Sequence, residues 1–312
     1  MGANTTGYIG LTDYKWFSFL RARPQLEEIN FWKPSAQVGF KAIPPNAPFF
    51  FQLKRPHYAI AGFGYFVRYS KLPIWLAWDS FGEANGAPDK ETLKRVLKPY
   101  VAGGNADDRH EIGCIMIAEP VFFEEGQWIK IPANWPPNVV AGMKIDLADN
   151  PEGRRIWSEC LERTVRRRAP NAAGHQSETP RFAEATMVRR RYGQGLFRVM
   201  VTEAYGRSCA ITTEHSLPTL EAAHIQPYSK DGKHEIANGL LLRSDFHKLL
   251  DTGYMTVTPD YRVEISKRLR QDFENGKSYY PFHGKTINLP GNPGEWPSAD
   301  LLKWHNTEKF LG

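Results

Sequence analysis

Apolar positions in the first half of the chain gather in short runs, and these predict strands broken by turns. Tyr8–Leu11 reads as a strand. Asp13 is placed to cap a helix in which Trp16, Phe17 and Leu20 recur at helical spacing, ending near Pro24. Phe49–Leu53 and Ala59–Tyr69 read as adjacent strands joined by a turn at Pro56. Gly62 and Gly64 inside the second run mark a bulge or a close backbone approach. Leu72–Phe81 is apolar and rich in Trp. Asp89–Tyr100 reads as a helix with Leu93, Val96 and Leu97 inward and Lys90, Lys94 and Lys98 outward. Glu111–Pro120 has the continuous apolar character of a buried strand, which Val121–Phe123 can extend. Trp128–Ile131 and a Pro-rich stretch over 132–137 follow. The pattern predicts a mainly β unit with short helices over residues 1–150.

The pattern then changes. Glu152–Arg168 is compatible with a helix carrying Ile156, Cys160, Leu161 and Val165 on one stripe. Ala169–Pro180 is small, polar and bounded by prolines, as a flexible tether would be. Residues 151–190 therefore read as a basic helix and linker, and residues 191–312 as a further domain that opens with a helix over Gly195–Ala204. Within that domain Leu220–Ile225 reads as a strand containing His224. Pro227 and the polar run Tyr228–Glu235 form a loop, and Asn238 and Gly239 precede a second apolar run, Leu240–Leu242. Ser244 and Asp245 are N-cap candidates for a helix carrying His247, Leu249, Leu250 and Asp251. The local order is strand, loop, strand, helix. His247 and Asp251 are four apart, so a helix puts both on one face, where an imidazole and a carboxylate can share one divalent metal. A hairpin (Tyr254–Val257 and Arg262–Ile265) and a last helix over Ala299–Trp304 complete the pattern.

Composition narrows the class. A chain with 41% hydrophobic and 13% aromatic residues suits a folded protein rather than a disordered one. The net charge of +6 is unevenly placed: residues 151–200 hold 11 Lys and Arg against 5 Asp and Glu, and the flanking segments are nearly balanced. A basic block at a domain junction suits a polyanion such as DNA, because each neutralised phosphate releases counterions. Arg166, Arg167, Arg168, Arg189, Arg190 and Arg191 are the candidate backbone contacts, although the first three would also complement a helix C-terminus. Cys114, Cys160 and Cys209 are far apart with no C-x-x-C pair, which predicts buried thiols in a reducing compartment and no structural zinc. There is no signal-peptide pattern and no apolar run of membrane-spanning length, so the expected location is the cytoplasm, with no membrane partner.

The stretch LEAAHIQPYSKDGKHEIANGLLLRSDFHKLLD resembles the HNH nucleases, whose ββα-metal core has the same strand–strand–helix order. RYGQGLFR (191–198), the CAIT run from Cys209, NGLLLRSDFHKLLDTGYMTV and the LP at Leu289 extend the likeness to a subfamily found at the C-terminus of restriction endonucleases. The resemblance implies that His224 is the general base, that Asn238 pins the loop orienting it, and that His247 ligates Mg²⁺ or Mn²⁺. Asp251 sits where a second helical ligand would be. The chain departs from the family at Ala223, where many members carry a ligating Asp or His. Either Asp251 and solvent complete the shell, or Glu221 reaches in from the same strand face.

Residues 1–150 resemble the PUA superfamily of pseudo-barrels, which includes the EVE, SRA and YTH domains. The likeness rests on the NFWKP box (Asn30–Pro34), the strand FFFQLK and the IAGFGYF strand after it. Readers of this kind flip a modified base into an aromatic pocket, where stacking offsets an unstacking cost of about a few kcal/mol. Trp32, Trp75 and Trp78 are the candidate pocket aromatics and Asp79 the candidate edge acceptor; core packing is the other role open to each Trp. The fold class expected is α+β, a PUA-like unit joined to a ββα-metal nuclease. The whole chain then resembles a modification-dependent restriction endonuclease acting on double-stranded DNA with 5-methylcytosine or 5-hydroxymethylcytosine, a double-strand break requiring a homodimer or two binding events. Two rivals stand beside this reading. One is an HNH nuclease triggered by another modification, such as a phosphorothioate. The other is a non-catalytic DNA-binding regulator with a degenerate HNH domain. RNA is a further candidate substrate.

Overall fold

The computed structural model describes residues 6–101, 104, 106–131, 142–168, 192–230 and 232–312. The chain divides into two compact units, Met1–Arg191 and Tyr192–Gly312. The α+β class expected from the sequence holds in both. Among the described residues no helix is long and apolar enough to cross a membrane.

The first unit is one mixed sheet with helices on both faces. In chain order its elements are β1 (Thr6–Thr12), α1 (Tyr14–Arg21), β2 (Glu28–Lys33), β3 (Pro48–Leu53), β4 (Ala59–Pro73), α2 (Ile74–Phe81), α3 (Lys90–Leu97), β5 (Glu111–Phe122), β6 (Ile129–Lys130), β7 (Gly142–Asp146) and α4 (Pro151–Arg168). The strand order is β2-β5-β4-β3-β1-β7, with β6 on β4. Only the β1–β3 pair is parallel among the described strands. β3 reads PFFFQL without alternation and every residue of it is buried, as a strand covered on both faces requires. Phe50 packs with Ile9, Ile60, Ile145, Ile156 and Cys160 on one face. Phe51 meets Trp16 and Phe122 on the other. Asp13 caps α1 as expected, its carboxylate accepting from Lys15 N at 2.9 Å. Gly62 marks a close backbone approach: a Cβ there would lie 2.2 Å from the Val121 carbonyl oxygen.

Several expectations shift. The helix read as part of the junction, α4, is anchored in the core of the first unit, with Ile156 and Cys160 fully buried. Its arginines hold it there: Arg155 donates to the Lys130 carbonyl, and Arg163 to the Gln127 carbonyl at 2.6 Å. Val165, placed on the apolar stripe, is 55% exposed, and Val96 of α3 points outward while Leu93 and Leu97 are buried. In both helices the buried arc is narrower than the run of apolar residues. All three cysteine thiols are buried, and burial pushes that of Cys114 up to about 12.

The second unit contains α5 (Gln194–Ala204), β8 (Leu220–His224), β9 (Gly239–Arg243), α6 (Ser244–Asp251), β10 (Met255–Val257), β11 (Val263–Ile265), α7 (Arg268–Phe273) and α8 (Ala299–Glu308). β8 and β9 form an antiparallel pair that runs directly into α6, and β10 and β11 form the expected hairpin. Leu240, Leu241 and Leu242 are all fully buried, because α5 and α6 both pack on β9. Phe197 and Val201 of α5, Leu220 and Ala223 of β8, Phe246 and Leu250 of α6 and Leu302 of α8 share one core. The N-terminus of α6 differs from expectation. Arg243 occupies the N-cap position without a side-chain cap, and Ser244 is the first helical residue. Asp245 sits in the first turn and takes a bidentate pair from the Arg243 guanidinium at 2.8 and 2.6 Å. A charge-assisted pair of that geometry outcompetes a neutral cap bond.

Candidate active site

The site in the second unit is built where β8 ends, β9 begins and α6 turns back. The register pairs Glu221 with Leu242, Ala223 with Leu240 and His224 with Gly239. Gly239 is needed there: a Cβ would come within 2.4 Å of Val201 and 3.1 Å of the Phe197 ring. The helix α5 can therefore press its aromatic face against the strand end.

His224 lies flat on Phe197, with ring centroids 3.9 Å apart and planes inclined by 12°. Its Nε2 is 2.9 Å from Nδ1 of His234, a residue in the loop between β8 and β9. Burial is the main reason its pKa falls from the ordinary 6.5 to about 4, and the His234 and His247 rings nearby push the same way. His224 is therefore a neutral imidazole at pH 7, with a lone pair available to take a proton.

Asn238 closes the loop. It is almost fully buried, and its Oδ1 accepts from Gln226 N while its Nδ2 donates to Gln226 O and to Lys233 O, all at 2.9 Å. Its own carbonyl accepts from Ile225 N at 2.9 Å. The amide thus ties both ends of the loop to the strand that carries His224.

On α6, Phe246 and Leu250 face the core, which leaves His247 and Asp251 on the opposite face. His247 Nδ1 is 2.5 Å from Glu221 Oε2, and its Nε2 is 3.4 Å from Asp251 Oδ2. Glu221 thus reaches across from β8, while Ala223, two residues on, is fully buried in the core. The two nitrogens of one imidazole point away from each other. A single ion can take Nε2 together with Asp251, leaving Glu221 to fix the ring through Nδ1–H, but it cannot take all three. Among the described residues no three ligating side chains converge on one point. An imidazole nitrogen and a carboxylate oxygen are donors that fit a divalent metal ion.

The structure therefore brings His224, Asn238, His247, Asp251 and Glu221 into one region of the second unit. His234 and Phe197 were not singled out from the sequence. His234 lies ten residues after His224 and four before Asn238, and that third histidine inside the loop was the available signal.

The candidate pocket residues of the first unit are more dispersed. Trp32 on β2 is half-buried and donates its Nε1–H to the Asn85 carbonyl at 2.9 Å, as Trp16 does at 3.0 Å. Trp75, Trp78 and Asp79 lie on α2, the first two half-buried and the last exposed. Asn85 links the two elements, because its Nδ2 donates to the Ala77 carbonyl of α2 at 3.1 Å. Asn85, fully buried, was not singled out from the sequence. Arg166, Arg167 and Arg168 belong to the last turn of α4. Their side chains, and Arg189, Arg190 and Arg191 altogether, lie outside the described residues.

Against this geometry, the HNH endonuclease family profile matches residues 209–258, the span that holds β8, β9, α6 and β10. Residues 209–258 are an HNH endonuclease domain. A search of curated proteins finds no match. Among solved structures, ASCH from Zymomonas mobilis is similar at 12% identity, with 50% of this chain and 94% of that chain covered and a TM-score of 0.33. A point mutant of the same ASCH protein gives 13% identity over 52% and 96% of the two chains, with a TM-score of 0.32. The modification-dependent TagI restriction endonuclease is 12% identical over 87% of this chain and 63% of that chain, with a TM-score of 0.30. HNH nucleases generally use a divalent metal.

Proposed function

We propose that the chain is a DNA endonuclease in which His224 of the HNH domain is the general base for phosphodiester hydrolysis. The observation that carries this reading is the placement of the His224 imidazole, stacked on Phe197 and met at Nε2 by His234, at the end of a strand whose following loop Asn238 closes. In the reaction an attacking water loses a proton to His224 as its oxygen bonds to phosphorus. The bond to the 3′ oxygen breaks, and that oxygen leaves as an alkoxide that takes a proton from solvent water to become the 3′-hydroxyl, with a 5′-phosphate on the other strand end. General-base help of this kind is worth about 10²–10⁴-fold. His247 Nε2 and Asp251 would hold Mg²⁺ or Mn²⁺, and Glu221 would fix the His247 ring by accepting Nδ1–H. When bound, the ion polarises the scissile phosphate and stabilises the leaving oxygen. Glu221 then takes up the role that a ligand at position 223 has in other members, by orienting a ligand rather than ligating.

The first unit, in the same proposal, is a PUA-superfamily reader of the EVE or SRA type, selecting 5-methylcytosine or 5-hydroxymethylcytosine. Its support is the resemblance of the NFWKP box and the two strands after it, together with the tie from Trp32 through Asn85 to the helix of Trp75 and Trp78. Residues 1–150, with α4 packed on them, would read and 191–312 would cut, with Arg166–Arg168 and Arg189–Arg191 on the DNA backbone. Double-strand cleavage takes two copies or two binding events, because one ββα site cuts one strand.

The test uses one plasmid prepared unmodified, cytosine-methylated and hydroxymethylated, incubated with the full chain and Mg²⁺ or Mn²⁺. Cutting confined to a modified form is the expected result. Equal cutting of all forms removes the base-modification reader and keeps the nuclease.

A further inference from the structure

The pairing of His224 with His234 has a chemical consequence for the base. An Nε2-to-Nδ1 separation of 2.9 Å places one proton between the two rings. If His234 donated it, His224 would carry its own proton on Nδ1 and would have no lone pair facing outward. If His224 donates it, Nδ1 is bare and basic. One hydrogen bond therefore selects between a competent base and an inert ring. Stacking on Phe197 fixes the plane of the ring, the contact with His234 sets which edge faces that residue, and the His234 ring also lies against Phe197 with centroids 5.6 Å apart.

The loop fixes His234 by the same device that closes it. Asn238 Nδ2 donates to the carbonyl of Lys233, the residue directly before His234, and to Gln226, two residues after His224. Both partners of the imidazole pair are thus held by one buried amide.

We propose that His234 is the positioning residue of the nuclease site: its Nδ1 accepts the Nε2–H of His224 and so leaves Nδ1 of His224 as the basic nitrogen. This rests on the reading of His224 as general base. When His224 Nδ1 takes the proton from water, its Nε2–H stays directed at His234, and the bond between them becomes charge-assisted and stronger. The effect of Asn238 on the base is then transmitted through His234.

The experiment uses the full chain with ¹⁵N-labelled histidine, and reads the ring tautomers by proton–nitrogen correlation. It is paired with steady-state cleavage kinetics in Mn²⁺ on the plasmid form that the wild type cuts. In the wild type His224 is expected to be protonated on Nε2 and bare on Nδ1. His234→Ala is expected to lose that preference and to lower kcat by about 10- to 100-fold with KM for DNA unchanged, the range for removing a residue that orients a reacting group. His234→Asn places an amide oxygen where Nδ1 stood, and is expected to keep the tautomer and most of kcat. A wild-type His224 protonated on Nδ1 overturns the proposal, and so does His234→Ala cutting at the wild-type kcat. If no protein in the series cuts DNA, the nuclease reading falls, and the tautomer spectrum alone still decides for or against the pairing.

Discussion

Asn238→Ala is the perturbation whose cost can be worked most directly. The side chain makes three hydrogen bonds of 2.9 Å, two to Gln226 and one to Lys233, and is almost fully buried. Its amide orientation is fixed by its partners, since the oxygen faces an N–H and the nitrogen faces two carbonyls. Truncation leaves those three backbone groups without their partner. A buried orphan costs about 1–3 kcal/mol, but Gln226 is half-buried and Lys233 exposed, so water recovers part of it. We expect a net loss of about 2–4 kcal/mol, which for a unit of this size lowers its melting transition by roughly 8–16 °C. Calorimetry of the full chain reads this directly. Asn238→Asp keeps the acceptor for Gln226 N but turns an oxygen toward two carbonyls, so it is expected to lose at least as much as Ala. Asn238→Ala within about 0.5 kcal/mol of wild type, or Asn238→Asp with full stability, would refute the clamp.

Other outcomes follow from the same geometry. Phe197→Ala removes the platform under His224 and opens a core cavity, so it is expected to cost about 3–5 kcal/mol in denaturant unfolding. The pKa of His224, about 4 when folded against an ordinary 6.5, makes stability pH-dependent: between those values the unfolded chain binds a proton that the folded one does not. Stability therefore falls as pH drops from 6.5 to 4, by at most about 2–3 kcal/mol after discounting for partial exposure, and His224→Gln should flatten that part of a urea-denaturation series. Mn²⁺ binding by calorimetric titration is expected to be lost in His247→Ala and weakened by about 10- to 100-fold in Glu221→Ala. Mn²⁺ affinity unchanged by His247→Ala would move the metal elsewhere.

The strand–strand–helix core could be read from the sequence because each element obeys one local rule. β8 and β9 are short apolar runs, and α6 alternates core and site residues at helical spacing. β2 and β7 were not read as strands. Glu28 and Asn30 interrupt the apolar run of β2, and Asn30 is tolerated in the core because its amide donates to Asn85 and Cys114, partners 55 and 84 residues away. β7 is a polar edge strand that pairs with β1 alone among the described strands, so burial imposes little pattern on it. His224 and His247 could be named from the resemblance to HNH nucleases, and Glu221 and Asp251 stood as alternatives beside His247, but the contact of His224 with His234 could not be read. The His234 contact depends on the loop closing, and the Glu221 contact depends on the β8–α6 packing. Both are tertiary facts: the third histidine in the loop and the strand position of Glu221 mark the residues in the sequence, but not the contacts they make. The pocket candidates Trp32, Trp75 and Trp78 were chosen by residue type, and Asn85, the residue that links their elements, carries no mark in the sequence.

The most direct test of the central claim is cleavage of plasmid DNA by the full chain in Mg²⁺ or Mn²⁺, wild type against His224→Ala, across the modified and unmodified forms. Metal-dependent cutting of at least one form is expected, falling by about 10²-fold or more in His224→Ala, with DNA binding retained. Cutting by His224→Ala at the wild-type rate would contradict it.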